Sequence, residues 1–244
     1  MKALILAAGL GTRLRPITDS LPKALAPVDG VPLLERNLRQ LASQGVSEFI
    51  VNVHYKAEQV LEFLQRNNNF GLRITISDER ERLLNTGGAL KKAAWFFDDG
   101  QPFLIYNVDI ITSLDVRKLR TYHTENGALA TVAVSHRSAS RFFLLDAQHR
   151  VHGWRNVKTG EEKRPWPTTE PLVDMGFGGI HVASPELLPH LQNFGEVFSI
   201  IELYLSLAAK HPIVGYDMLG EEWVDVGKPE TLAKAELILQ KNRA

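Results

Sequence analysis

Apolar residues follow two rhythms along this chain. In the first half, short apolar runs alternate with segments whose apolar positions recur at helical spacing. "KALILAA" is apolar without alternation, as in a strand buried on both faces. "VPLLERNLRQLASQG" carries helical spacing, with Pro32 near its start and a glycine stop. The pattern repeats through the strand "EFIVNVH", the helix "AEQVLEFLQRN", the strand "LRITISD" and the helix "GGALKKAAWFF", which has a glycine-rich start. It ends with the strand "PFLIYNVD", the helix "LDVRKLRTYHTEN" and the strand "ALATVAVS". This β-α alternation predicts a mostly parallel central sheet with helices on both faces, an α/β fold.

The second half changes character. "RFFLLDAQHRVHGWRNVKTGEEK" predicts short strands joined by turns at Asp146–His149 and Lys158–Gly160. "EEKRPWPTTEP" reads as a proline-rich surface loop, "GFGGIHVAS" as a strand, and "FSIIELYLSLAAK" and "PETLAKAELILQ" as helices. No linker separates independent domains, so the expectation is one domain over 1–244, with an alternating half (1–135) and a smaller mixed half (136–244).

Composition narrows the functions. Hydrophobic residues are 44% of the chain and the formal net charge is zero. This removes the global electrostatic case for a nucleic-acid partner. The chain has no cysteine, which excludes disulfides, thiolate catalysis and cysteine-based zinc sites, and fits a cytoplasmic protein. The first apolar run is about one strand long, too short for a signal peptide or membrane span, and no long apolar stretch follows.

The strand "KALILAA" runs into Gly9 and Gly11, and Arg13, Arg15, Pro16, Pro22 and Lys23 follow. The dinucleotide fingerprint fails because Leu14 stands where its third glycine belongs, and no Gly-Lys-Ser/Thr follows to make a P-loop. Glycines that let backbone approach a ligand, beside fixed positive charge, suit a polyphosphate. Gly11 is expected to lie against the triphosphate or its base, leaving no room there for a Cβ. Asp109 follows a strand end, where open α/β sheets bind ligands, and Asp225 is expected in a turn before a helix that Pro229 starts. A hard cation such as Mg²⁺ takes oxygen ligands and lets substrate phosphates complete its shell, so two such carboxylates would suit it if the fold brings them together. The histidines show no metalloprotease spacing, and His54 alone is expected near the active edge.

The stretch "LAAGLGTRLRPITDSLPKAL" resembles the signature of the sugar-1-phosphate nucleotidylyltransferases. "TGGAL", "YNVDI" and "WVDVGKPETL" extend the resemblance over nearly the whole chain. In length and layout the chain is similar to short bacterial members, the N-acetylmuramate-1-phosphate uridylyltransferases and the mannose-1-phosphate guanylyltransferase-like proteins. The resemblance implies a Rossmann-like nucleotide-diphospho-sugar transferase fold, with a nucleotide-binding half over 1–135 and a sugar-binding half over 136–244, and an enzyme whose substrates are a nucleoside triphosphate and a sugar 1-phosphate. It implies nucleotide contacts from Leu6, Ala7, Ala8, Gly9, Gly11 and Thr12, and from Thr86, Gly87 and Gly88. Arg13 falls where the family contacts the leaving pyrophosphate, and Lys23 where it contacts the phosphates at the reacting centre. Asp109 and Asp225 fall at the positions that hold Mg²⁺. Sugar contacts are implied for Gly178 and Gly179 and assigned to Asn107 and Asn156. Val108 departs from the glycine that usually precedes the first aspartate. "EEKRP" falls at the wrong spacing to supply the family's sugar-phosphate lysine, which leaves Glu161 and Lys163 as a solvated face.

The resemblance implies uridylyl transfer to an N-acetylmuramate-like sugar 1-phosphate, with guanylyl transfer to mannose 1-phosphate or a related sugar as the alternative. The base would be read around Ser77–Leu84. A nucleotide-sugar sensor without activity is the alternative from another class. No nucleic acid or membrane partner is expected, and a homodimer is left open.

Overall fold

The computed structural model describes residues 1–241. In chain order its strands are β1 (Lys2–Leu6), β2 (Pro27–Val28), β3 (Val31–Pro32), β4 (Glu48–Val53), β5 (Arg73–Asp78), β6 (Phe103–Asn107), β7 (Ile110–Thr112), β8 (Ala130–Ser135), β9 (Arg141–Leu145), β10 (Val151–Asn156), β11 (Glu161–Lys163), β12 (Val173–Ala183), β13 (Ile213–Asp217) and β14 (Trp223–Asp225). Its α-helices are α1 (Ile17–Ser20), α2 (Leu33–Ser43), α3 (Ala57–Arg66), α4 (Asn85–Ala93), α5 (Val116–Glu125), α6 (Ile200–Leu207) and α7 (Pro229–Lys241). Compactness does not follow chain order. One unit gathers Met1–Leu84, Ile105–Val116 and the stretch from Glu221 onward; the other gathers Asn85–Leu104 and Arg117–Gly220.

The first unit holds the parallel part of the predicted alternation, whereas α4, most of α5 and β8, which the sequence pattern puts in the same half, fall in the second unit. The strand order of the first unit is β6-β1-β4-β5, with β1–β4 and β4–β5 both parallel. Ala3, Leu4 and Ile5 of β1 are fully buried, which is why the run has no alternation. Two short strands are not evident in the sequence: β7 and β14 pair antiparallel, setting Asp225 opposite Ile110. Asp225 thus closes a strand, where a turn was expected. An apolar cluster supports this pair. Leu14, Leu33, Ile111, Val224, Val226 and Ile238 pack together, each at most 6% exposed. Burying such a side chain is worth about 1.5–3 kcal/mol. The cluster therefore fixes the backbone on either side of Asp225 and beside Arg13.

The second unit is largely antiparallel. β12 pairs antiparallel with β8 and with β9, β9 with β10, and β10 with β11; β13 joins β8 in parallel. Glu161–Lys163 is a strand of this hairpin, so the proline-rich loop begins only after it. The three residues are nonetheless exposed, as a solvated face should be.

Two buried histidines hold this unit together in neutral form. His123 lies between the hydroxyls of Thr131 and Ser184, each 2.9 Å away. His181 meets the Tyr204 hydroxyl at 2.5 Å. Burial lowers both below the ordinary value, His123 to about 4 and His181 to about 3. The unfolded chain takes up these protons near pH 6.5, so the stability they protect is present above that pH. It is lost as pH falls toward the folded values, by about 1.4 kcal/mol per pH unit for each histidine. A melting series from pH 7 to 4.5 should fall more steeply for the parent protein than for His181→Phe. Equal slopes would remove His181 from this account.

Candidate active site

The glycine loop starts where β1 ends, and its first two amides are already bound. The N–H groups of Ala7 and Ala8 both donate to Asn52 Oδ1, at 2.6 and 3.2 Å. Asn52, at the end of β4, donates through Nδ2 to Glu79 Oε1 at 2.8 Å. The second Glu79 oxygen accepts from the Leu84 amide at 3.1 Å. Glu79 is 1% exposed and Asn52 3%. Beyond this pair, the amides of Gly9, Leu10 and Gly11 make no hydrogen bond to any described residue. A run of unbonded N–H groups is the local equipment for an anion. His54 lies nearby, as the sequence suggests, and donates through Nδ1 to the Glu79 carbonyl at 2.7 Å, a structural bond.

The two glycines differ. A Cβ on Gly9 would meet nothing within 4 Å, so backbone is open to a ligand there. Gly11 has a left-handed φ of 65°, and its Cβ would lie 2.7 Å from Thr18 Cγ2 and 3.1 Å from Lys23 Cβ. The expectation for Gly11 is therefore corrected: its missing side chain makes room for Thr18, whose hydroxyl donates to the Gly11 carbonyl at 2.8 Å.

Four charged side chains from separate segments of the first unit converge. Lys23 is 9% exposed, and its ammonium donates to Asp109 Oδ2 in an ion pair. Asp109 follows β6 in a turn tied down at several points. Asn37 of α2 donates to the Val108 carbonyl at 2.7 Å, the Val108 amide to the Leu6 carbonyl at 3.1 Å, and the Val226 amide to the Asp109 carbonyl at 2.8 Å. Val108 is 3% exposed, so the residue that departs from the family pattern is anchored in the core. Asp225 lies beside Asp109. Burial and the Asp109 charge push its carboxyl above the ordinary value, against Lys23 and Arg13, which favour the ionised form. Its Oδ1 is buried and accepts no hydrogen bond. Arg13 is exposed on the turn Thr12–Leu14, whose Leu14 is buried, and a Cβ on Gly227 would lie 2.6 Å from Asp225 Oδ1 and 3.1 Å from Arg13 Nη2. Gly227 is what lets the guanidinium and the carboxylate share that space. Arg15 instead pairs with Asp19 at 3.2 Å on the exposed surface.

This donor set suits a hard divalent cation. Two carboxylates lie side by side, and one buried oxygen has no protein donor. Among the described residues no cluster of three or more histidines and acids forms, so most of an octahedral shell would come from water and substrate oxygens. Asn107, the last residue of β6, stands two residues before Asp109.

The remaining predicted residues lie in the second unit, engaged with their own surroundings. Thr86 Oγ1 accepts from the Ile200 amide at 3.0 Å, and the amides of Gly87 and Gly88 donate to the Phe198 carbonyl at 3.0 and 3.3 Å. The ring of Phe198 fills the space of a Gly87 Cβ. Asn156 Oδ1 accepts from the Lys158 amide at 3.1 Å, shaping the β10–β11 turn. A Cβ on Gly178 would lie 2.5 Å from Met218 Cε, and Gly179, with φ 75°, sits at the register shift where β12 pairs with β8. No helix of the described residues is long and apolar enough to cross a membrane.

Comparison with known proteins follows the same line. The profile of the nucleotidyl transferase family matches residues 2–242. The chain is 32% identical to the N-acetylmuramate alpha-1-phosphate uridylyltransferase of Caulobacter vibrioides over 242 residues, 96% of this chain and 95% of that protein. It is 32% identical to the mannose-1-phosphate guanyltransferase of Yarrowia lipolytica over 236 residues, 94% of this chain but 61% of that longer protein. The crystal structure of HddC from Yersinia pseudotuberculosis complexed with GMP-PN shares the fold, with a TM-score of 0.76 at 21% identity over 98% of this chain and 99% of that one.

Proposed function

Because the chain belongs to the nucleotidyl transferase family, we propose that it joins a nucleoside triphosphate to a sugar 1-phosphate. A phosphate oxygen of the sugar attacks the α-phosphorus, the bond from that phosphorus to the bridging oxygen breaks, and pyrophosphate leaves. The attacking oxygen is already anionic, so no general base is needed. The work is to bring two anions together in line and to absorb the charge on the leaving group. The observation that carries this reading is the convergence of Lys23, Asp109, Asp225 and Arg13 beside a loop with three unbonded amides.

In this reading Arg13, exposed and beside Asp225, takes the departing pyrophosphate. Lys23 exchanges its Asp109 partner for phosphate oxygens, and the amides from Gly9 to Gly11 orient the triphosphate. Asp109 and Asp225 hold Mg²⁺, whose charge, when bound, polarises the phosphate oxygens. For the substrate pair, uridylyl transfer to an N-acetylmuramate-like sugar 1-phosphate is favoured. The Caulobacter uridylyltransferase matches 96% of this chain at 32% identity, which supports testing this pair first. The test is a matrix of nucleoside triphosphates against sugar 1-phosphates with Mg²⁺, read as pyrophosphate release. The highest kcat/KM is expected for UTP with N-acetylmuramate 1-phosphate. A maximum at GTP with mannose 1-phosphate would reverse the substrate choice. Release with no pair would return the protein to the sensor class.

A further inference from the structure

The Asn52–Glu79 pair is buried, polar and outside the reacting groups, and its donors and acceptors permit one arrangement. Asn52 Oδ1 faces two N–H donors, those of Ala7 and Ala8, so its Nδ2 must face Glu79. Glu79 in turn faces two donors, Asn52 Nδ2 and the Leu84 amide. Only a carboxylate accepts at both ends; a glutamine in its place would turn an NH₂ toward one of two N–H groups. Both side chains are almost fully buried, so water does not make good a mismatch. The chain of bonds runs from the amides just before Gly9, through the end of β4, to the segment 79–84 that follows β5.

We infer that Asn52 and Glu79 are positioning residues that hold the phosphate loop and the 79–84 segment at a fixed separation and orientation. The inference rests on the reading above, in which the loop from Leu6 to Gly11 receives the triphosphate. Fixing the peptide planes of Ala7 and Ala8 leaves the amides from Gly9 onward as the ones that meet phosphate. Anchoring Leu84 through the same relay ties a second part of the unit to that geometry. The pair touches no reacting atom and acts only through the backbone it holds.

Two near-isosteric substitutions test this, because together they exchange roles. Asn52→Asp places a carboxylate against Glu79. Glu79→Gln turns a donor toward a donor. In the double variant, the carboxylate introduced at position 52 accepts from Ala7, Ala8 and the new amide at position 79. The oxygen of that amide accepts from Leu84, so donors, acceptors and net charge all match the parent. Each single variant should lower kcat/KM for the nucleoside triphosphate by about tenfold or more, since a small misplacement of bound groups costs rate steeply. KM for the sugar 1-phosphate should stay unchanged. The double variant should return to within about threefold of the parent, as coupled rather than additive sites do. All assays are run well below the melting temperature of each variant, so a role confined to stability would leave these constants alone. Hydrogen exchange of the Ala7 and Ala8 amides gives a readout independent of turnover: protection should drop in both single variants and return in the double. Single variants with parental kinetics and protection, or a double variant no better than its worse parent, would overturn the inference. A parent protein that releases no pyrophosphate with any pair overturns the functional reading, and with it the kinetic part of the inference. The exchange pattern tells that failure from a failure of the relay.

Discussion

Asp225→Asn should lower kcat by about 10²–10³-fold and at the same time raise the melting temperature of the ligand-free protein. The two effects share a cause. Asp225 is buried beside Asp109, and both burial and that neighbouring charge disfavour its ionised form. An amide of the same shape removes a charge that the fold tolerates poorly, so the fold gains. The same charge is half of the proposed Mg²⁺ site, whose loss forfeits several kcal/mol of transition-state stabilisation, about 10²–10³-fold in kcat. Asp109→Asn should lose turnover to a similar extent but lower the melting temperature, because it leaves the nearly buried Lys23 ammonium without its carboxylate. Adding nucleoside triphosphate with Mg²⁺ should raise the melting temperature of the parent, by the free energy of binding, and do so far less in either variant. Melting curves with and without ligands, together with kcat at saturating Mg²⁺, check all of this. Near-parental kcat in either variant would remove that residue from the cation site. A fall in ligand-free melting temperature for Asp225→Asn would mean that burial is not what dominates there.

Gly11→Val should destabilise the protein severely, whereas Gly9→Val should spare the fold and lose the nucleotide. At position 11 a Cβ meets Thr18 Cγ2 at 2.7 Å, and φ is 65°, where a β-branched residue is strained. Strain and overpacking of this kind each cost about 1–3 kcal/mol, enough together to remove much of an ordinary domain's stability. At position 9 nothing lies within 4 Å, so a valine projects into open space over the unbonded amides. The expected pattern is an early melt for Gly11→Val that still shifts upward with triphosphate. For Gly9→Val it is a parental melt with no shift. Thermal unfolding with and without triphosphate and Mg²⁺ reads both, and the reverse pattern would exchange the roles of the two glycines.

Much of this is legible in the residues, and what is not has physical reasons. Long apolar runs announce β1, β4 and β6 because strands buried on both faces need no alternation. β7 and β14 have three residues each, too few to carry a period, so Asp225 reads as part of a turn. The charged residues of the site are visible because Arg13, Lys23, Asp109 and Asp225 lie in recognisable local motifs. Asn52 and Glu79 are not. Asn52 shows only as one polar residue inside "EFIVNVH", and Glu79 is hidden in "SDERERLLN", a run whose composition suggests solvent. Its neighbour Arg80 does lie at the surface with Asp78 and Glu58, while Glu79 is 1% exposed. Charge density along a sequence does not reveal which member of a run turns inward. Glycine likewise hides its purpose: Gly9 and Gly11 are two residues apart and identical in sequence, and only backbone angle and neighbours separate them.

The pairing of β7 with β14 has a consequence for how the protein is made. Thr112 is synthesised 111 residues before its strand partner Trp223. At ribosomal speeds that gap is on the order of ten seconds. Throughout it the growing chain already carries Arg13, Lys23 and Asp109, but β7 has an open edge and the acid pair is incomplete. The proposed cation site therefore gains its second carboxylate only when β14 has been made and has carried Asp225 to Asp109.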